Sequence, residues 1–287
     1  MERSYLTVWY SAKKKYVAES EIGGIGAFST LKKSAVALSV TAVLCTTNLS
    51  VYAATTVPIE AGAGQRVTVS DDIIDSDFES SALYAHDGGW IVSDGYNIQG
   101  GAAGSAIVAS GVGVVDVQNA TLSGNVTTFV NVDSGGQVTL GEIQFDAGTG
   151  HPSEYIQDTG TGSSVNVYNT TIDNLNTVFA SVSDGAFLEL GNMQISADAT
   201  SGASVINGQS GSTMQIGQSS FSAIDHAVIS LDSSSAGIDN SSFSVTNTIE
   251  SDGGYSVVEL SNNASLLATN TNFTIKGTGI AAISCNR

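Results

Sequence analysis

Residues 115–122 read Val-Asp-Val-Gln-Asn-Ala-Thr-Leu: an apolar residue, any residue, a second apolar residue, four mostly polar residues, and a third apolar one. The same template returns at Val138, Leu140 and Phe145, at Val165, Val167 and Ile172, at Leu188, Leu190 and Ile195, and at Met214, Ile216 and Phe221. Ala236, Ile238 and Phe243 form a degenerate copy, as do Leu266, Ala268 and Phe273. Toward the N-terminus, Val67, Val69 and Ile74 fit the spacing, and Ile91, Ser93 and Ile98 fit it loosely because the middle residue is Ser. The third positions run from residue 74 to residue 273 with a mean repeat of about 25 residues, within the range of solenoid repeats.

Most units carry a second apolar run about ten residues earlier, such as Phe129-Val130 with Val132, or Val228-Ile229 with Leu231. A Gly/Ser/Asp turn separates the two runs, as at Asp133-Ser134-Gly135-Gly136 and Ser183-Asp184-Gly185. Each unit therefore reads as two or three short strands of period-2 alternation joined by tight turns. Stacking such units gives an all-β parallel β-helix, with three short strands per coil and about nine coils. At about 4.8 Å per coil the rod would be roughly 43 Å long. Four residues after the first apolar position stand Asn119, Asn169, Asn192, Asn240 and Asn270, with Gln218 in another coil. Asn tolerates a left-handed backbone and hydrogen-bonds locally. The spacing predicts a structural Asn ladder at one corner, with side-chain amides stacked between coils.

The composition agrees with a turn-rich β architecture. Of 287 residues, 32 are Gly, two are Pro and only 13% are charged. The 41% of hydrophobic residues are enough for a core. The net charge of −18 excludes a nucleic-acid partner, which needs clustered Lys and Arg. Six of the nine basic residues lie within the first 33. After Ala53, three basic residues face 24 acidic ones.

Lys32-Lys33, the apolar run from Ala35 to Leu44 and the cleavage pattern Val51-Tyr52-Ala53, with smaller residues on either side of Tyr52, read as a signal peptide with cleavage expected between Ala53 and Ala54. The apolar run is too short for a transmembrane anchor. The expected organisation is a signal region over 1–53, a capping segment over 54–64 and the β-helix over 65–287. The segment before the h-region is unusually long. Its Tyr5, Val8, Trp9, Tyr16, Val17, Ala18, Ser20 and Glu21 resemble the extended signal peptide region of autotransporters, the type V secreted proteins of Gram-negative bacteria. Glu2 and Arg3 depart from that family's usual Asn-Lys. The resemblance covers about 25 residues. It implies engagement of the secretion machinery and display on, or release from, the outer membrane. A right-handed coil is taken from it as well. Autotransporters end in a translocator barrel, and these 287 residues contain none, so a passenger truncated at its C-terminus is expected. In that setting the sequons at Asn119-Ala120-Thr121 and Asn169-Thr170-Thr171 read as ladder positions rather than glycosylation sites.

No enzyme activity, cofactor or metal is expected. His86, His151 and His226 belong to no zinc-type cluster, and His226 is assigned to a turn after Asp225. The Gly-Asp-Ser-Gly motif of serine-protease passengers is absent. Asp75-x-Asp77-x-Glu79 lacks the Gly and the final Glu of a calcium loop. Cys285 is the single cysteine after the signal region, so no internal disulfide is expected there. Polysaccharide lyases and hydrolases share the β-helix fold, but fold alone does not confer activity. Hydrolases need paired carboxylates at a defined separation; Asp71-Asp72 is adjacent, but the other motifs around such a pair are missing. The expected function is a non-catalytic, surface-exposed or secreted adhesin or self-association stalk. Its partners would be a host-cell or matrix surface, or sister cells. A β-helix polysaccharide enzyme and a non-functional fragment of a split gene are the alternatives. The loops near Gly148–Tyr155 and Glu250–Tyr255 are candidate binding insertions.

Overall fold

The computed structural model describes residues 5–10, 15–20, 49–51, 58–74, 81–101, 104–148, 152–198, 204–248, 255–277 and 281–286. Two units separate, Met1–Thr41 and Ala42–Arg287. In the first, Tyr5–Tyr10 pairs antiparallel with Lys15–Ser20, setting Val8 opposite Val17 and Trp9 opposite Tyr16. Ala53, Ala54 and the apolar run before them lie outside the described residues.

The second unit is a parallel β-helix of about eight turns. Three faces wrap the core. The first holds ten strands from Ile59–Ala61 to Ile283–Asn286, and the second ten from Leu49–Val51 to Ser265–Thr269. The third divides into four strands, Ile73–Ile74 to Gln144–Asp146, and five, Thr171–Leu175 to Asn272–Gly277. Leu49–Val51, inside the segment read as signal region, pairs with Val67–Val69.

Stacking equivalent residues makes columns. Val115 sits on Val138, Val138 on Val165 and Val165 on Leu188, all fully buried. On the third face Ile195, Phe221, Phe243 and Phe273 are in register. The Phe243 ring lies 5.1 Å from Phe221 and 5.6 Å from Phe273. In the first coil the inward residue is Ile73, which pairs with Ile98, so the template is one residue out at Ile74. Ser93 fills the middle column between Val69 and Val117, buried and with its hydroxyl unpartnered.

The first face breaks strict alternation. Phe129 and Val130 are both buried, as are Tyr155 with Ile156 and Phe179 with Ala180. Two neighbours can point inward only where the strand bends, so this column marks a corner. Phe145 packs on Phe129 and Tyr155 at 5.3 and 5.2 Å. This aromatic cluster sits where the third face divides. In the last coil Leu266, Phe273 and Ile275 are only partly covered, and Leu267 is exposed.

Tight turns join the first face to the second. Gly89, Gly113 and Gly136 donate their N–H to the carbonyls of His86, Ser110 and Asp133, three residues back, at 2.8 Å. The central pairs Asp87-Gly88, Ser134-Gly135, Asp184-Gly185 and Ser210-Gly211 all have positive φ, the type I′ pattern that Asn, Asp and Gly favour. Gly136 also passes so close to the preceding coil that a Cβ there would stand 2.2 Å from the Ala109 carbonyl oxygen. One turn breaks the chemistry: Val112 occupies such a position at φ 59° and is 62% exposed. A β-branched residue is strained there by roughly 1–2 kcal/mol. Replacing Val112→Asn should raise stability by about 1 kcal/mol, read as a higher midpoint of thermal unfolding.

Candidate interaction surface

The corner between the second and third faces is built by one repeated backbone choice. Asn119, Asn169, Asn192, Asn240 and Asn270 all lie there, exposed, with φ between 49° and 56°. Gln218 and Glu142 occupy the same column at 54° and 55°, and Gly95 takes the place in an earlier coil. The left-handed turn aims each residue's N–H along the helix axis. Asn119, Asn169 and Asn192 thereby donate to the carbonyls of Gly141, Gly191 and Gly217 in the next coil at 2.9–3.0 Å. The Asn side chains vary more. Asn192 Nδ2 donates to Asn169 Oδ1 at 2.9 Å, while Asn119 Nδ2 turns to Asp94 and Asn240 Nδ2 to Asp239.

A second column, which the apolar spacing does not mark, follows directly. Thr170, Ser219, Ser241 and Thr271 each donate a hydroxyl proton to the carbonyl two residues back, bridging the left-handed residue. Their oxygens accept N–H groups from the preceding coil, Met193 to Ser219 at 3.0 Å and Ser219 to Ser241 at 3.1 Å. The sequence signal was the hydroxyl residue one place after Asn or Gln in those coils.

Two adjoining concavities flank this corner, of about 420 and 510 Å³, sharing Asn192 and Gln218. The larger is roofed at one end by Tyr168. Its ring lies across Gly191 of the next coil, so close that a Cβ on Gly191 would be 2.7 Å from it. Burial is the larger cause that pushes the Tyr168 phenol's pKa up, and the neighbouring Glu189 carboxylate adds to it. Beyond Gly191 the space over Gly217 is open. Asp239 lies in the same column in the following coil. The smaller concavity continues along Asn240, Ser242 and Asn270.

The titratable residues elsewhere have local roles. His86 is held by Asp87 Oδ2 at Nδ1 and Glu60 Oε1 at Nε2, both at 2.8 Å, and stacks on Tyr84. The Asp87 hydrogen bond leads in raising its pKa. His226 is buried, with Nδ1 donating to the Ile224 carbonyl at 2.7 Å, and burial lowers its pKa. It follows Asp225, a turn residue at φ 54°. Asp72 caps the Asn97 N–H at 2.7 Å, and Asp71 caps the N–H of Asp72. His151, Asp75, Asp77 and Glu79 lie outside the described residues, as do parts of both insertion loops. Among the described residues no group of three metal-ligating side chains converges. Cys285 is exposed.

Asp158 differs from all of these. It points into the core between Val132 and Val182, fully buried, with both carboxylate oxygens unpartnered. Burial pushes its pKa up to about 7, and the Val165 N–H, outside hydrogen-bonding geometry, offsets a small part of that.

Comparison with protein-family models, curated proteins and solved structures gives no match for this chain.

Two outcomes are expected. If the corner needs Asn for its backbone, Asn192→Gly should cost only a few tenths of a kcal/mol and Asn192→Val roughly 1–2 kcal/mol in unfolding stability. Equal losses would instead assign the work to the side-chain amide. For Asp158 the folded pKa lies above the unfolded value, so between pH 3.8 and about 7 the folded chain keeps a proton that the unfolded chain has lost. Stability therefore falls as pH rises through that window, by up to roughly 4 kcal/mol, and this contribution is flat above it. His86, also raised, acts in the same direction. Asp158→Val, which continues the valine column, should raise the thermal midpoint at about pH 8 and flatten most of the slope from about pH 5.

Proposed function

We propose that this chain is an exported, non-catalytic passenger of the autotransporter type, acting at the cell surface or after release as an adhesin or self-association stalk. The observation that carries this reading is the corner of the solenoid. There, exposed amides recur in most coils beside two adjoining concavities. A solenoid with a polar contact group in most coils can make many weak contacts in parallel, and such contacts multiply when both partners are tethered. The acidic surface leaves nucleic acid and anionic membranes as poor partners. The resemblance of residues 5–21 to an extended signal region supports export. The partners under this reading are a host-cell or matrix surface, or a sister cell.

The test is expression of the full chain, epitope-tagged, in a Gram-negative host that does not clump on its own. The tag should appear in the outer-membrane or medium fraction, and cells should settle faster or bind host cells or matrix proteins. Deleting residues 2–33 should keep the tag in the cytoplasm. A tag retained in the cytoplasm with the intact N-terminus, or export without any gain in adhesion, would overturn the reading.

A further inference from the structure

We propose that the paired concavities at the corner bind a neutral polysaccharide chain, laid along the solenoid axis with one sugar ring against Tyr168. This rests on the adhesin reading and names its ligand class. Four features of the site favour such a ligand.

First, the lining is made of groups that match hydroxyls. Asn192, Gln218, Asn240 and Asn270 each present an amide, an acceptor beside a two-proton donor; Asn192 and Asn240 use one of those protons on Asn169 and Asp239, and the Ser242 hydroxyl, which donates to Ser220, adds an acceptor. A sugar hydroxyl is likewise donor and acceptor at once. Second, these amides repeat once per coil, at about 4.8 Å, close to the rise of one sugar unit in an extended chain. Third, Tyr168 supplies an aromatic face beside open backbone. Over Gly217 nothing stands within 4 Å of where a side chain would begin, so a flat ring can approach the strand there. An aromatic ring offers its face to the C–H side of a sugar and its hydroxyl to polar neighbours. Fourth, charge selects against the acidic glycans. The larger concavity carries Glu189 and Asp239 and no basic side chain, on a chain of net charge −18. Uronate polymers and nucleic acids are repelled, whereas a neutral chain is not.

The site allows a clean test. Gly217 has open space above it and no left-handed backbone, so Gly217→Val fills the concavity while suiting a strand. Full-length protein is titrated calorimetrically with cello-, manno- and galacto-oligosaccharides, with polygalacturonate as the anionic control. At least one neutral series should bind and polygalacturonate should not. Gly217→Val and Tyr168→Ala should each weaken binding about tenfold or more, with the thermal midpoint of Gly217→Val unchanged. Failure of every neutral series, or binding insensitive to both variants, would overturn the proposal. The same variants are run in the cell-adhesion assay. Wild-type adhesion without glycan binding would leave the adhesin reading standing and remove this one. Loss of cell clumping in Gly217→Val without any glycan binding would assign the concavity to a second copy of the chain and equally overturn the proposal. Glycan binding without adhesion would support the site and remove the adhesin reading.

Discussion

Hydrogen bonding between equivalent residues of successive coils holds everything else in this protein in place. A parallel ladder is satisfied only if each coil repeats the path of the one before, and a polygonal path must turn without breaking the ladder. The left-handed residues at 95, 119, 142, 169, 192, 218, 240 and 270 solve that problem. All but Asn270, which follows the last strand of the second face, turn the chain while keeping their own N–H on the next coil's carbonyl. The hydroxyls of Thr170, Ser219 and Ser241 then bridge the residue that turned. The corner is thus a place where backbone geometry, not packing, sets the residue type, and its exposed side chains are free to serve as a surface.

The core follows from the same registration. Because coil stacks on coil, any residue inside becomes part of a column, and its neighbours are its equivalents. Columns of Val, Leu and Phe therefore pack like on like, as in Phe221 over Phe243. The same rule exposes misfits. Ser93 sits in a valine column with an unpartnered hydroxyl, and Asp158 sits between Val132 and Val182 with an unpartnered carboxyl. Neither can escape to solvent, because leaving the column would break the ladder on both sides. Burial raises the pKa of Asp158, which ties the stability of the middle coils to pH.

The concavity beside the corner is a product of side-chain lengths in adjacent coils. Tyr168 can lie flat only because Gly191 follows it in the stack, and the space remains open only because Gly217 follows in turn. Gln118 over Gly141 and Gln215 over Gly237 repeat the device. A long outward side chain resting on the glycine of the next coil covers backbone in one place and leaves a gap in another.

The apolar template alone determined that this chain stacks as a parallel β-helix. A period-2 pattern repeated about every 25 residues leaves few other ways to bury every coil. It also singled out the Asn positions, since the residue type reports the backbone conformation. What it left open has a physical reason in each case. The template did not reveal that Phe129 and Val130 both face inward, because a bend in the strand suspends alternation there. It did not include Glu142 in the corner column, since Glu at positive φ is imposed by the coils on either side. Residues 168, 191 and 217 are far apart along the chain, and only coil-on-coil registration makes them one surface. The sequence wrote the repeat, and the stacking of the coils decided which residues from different repeats meet.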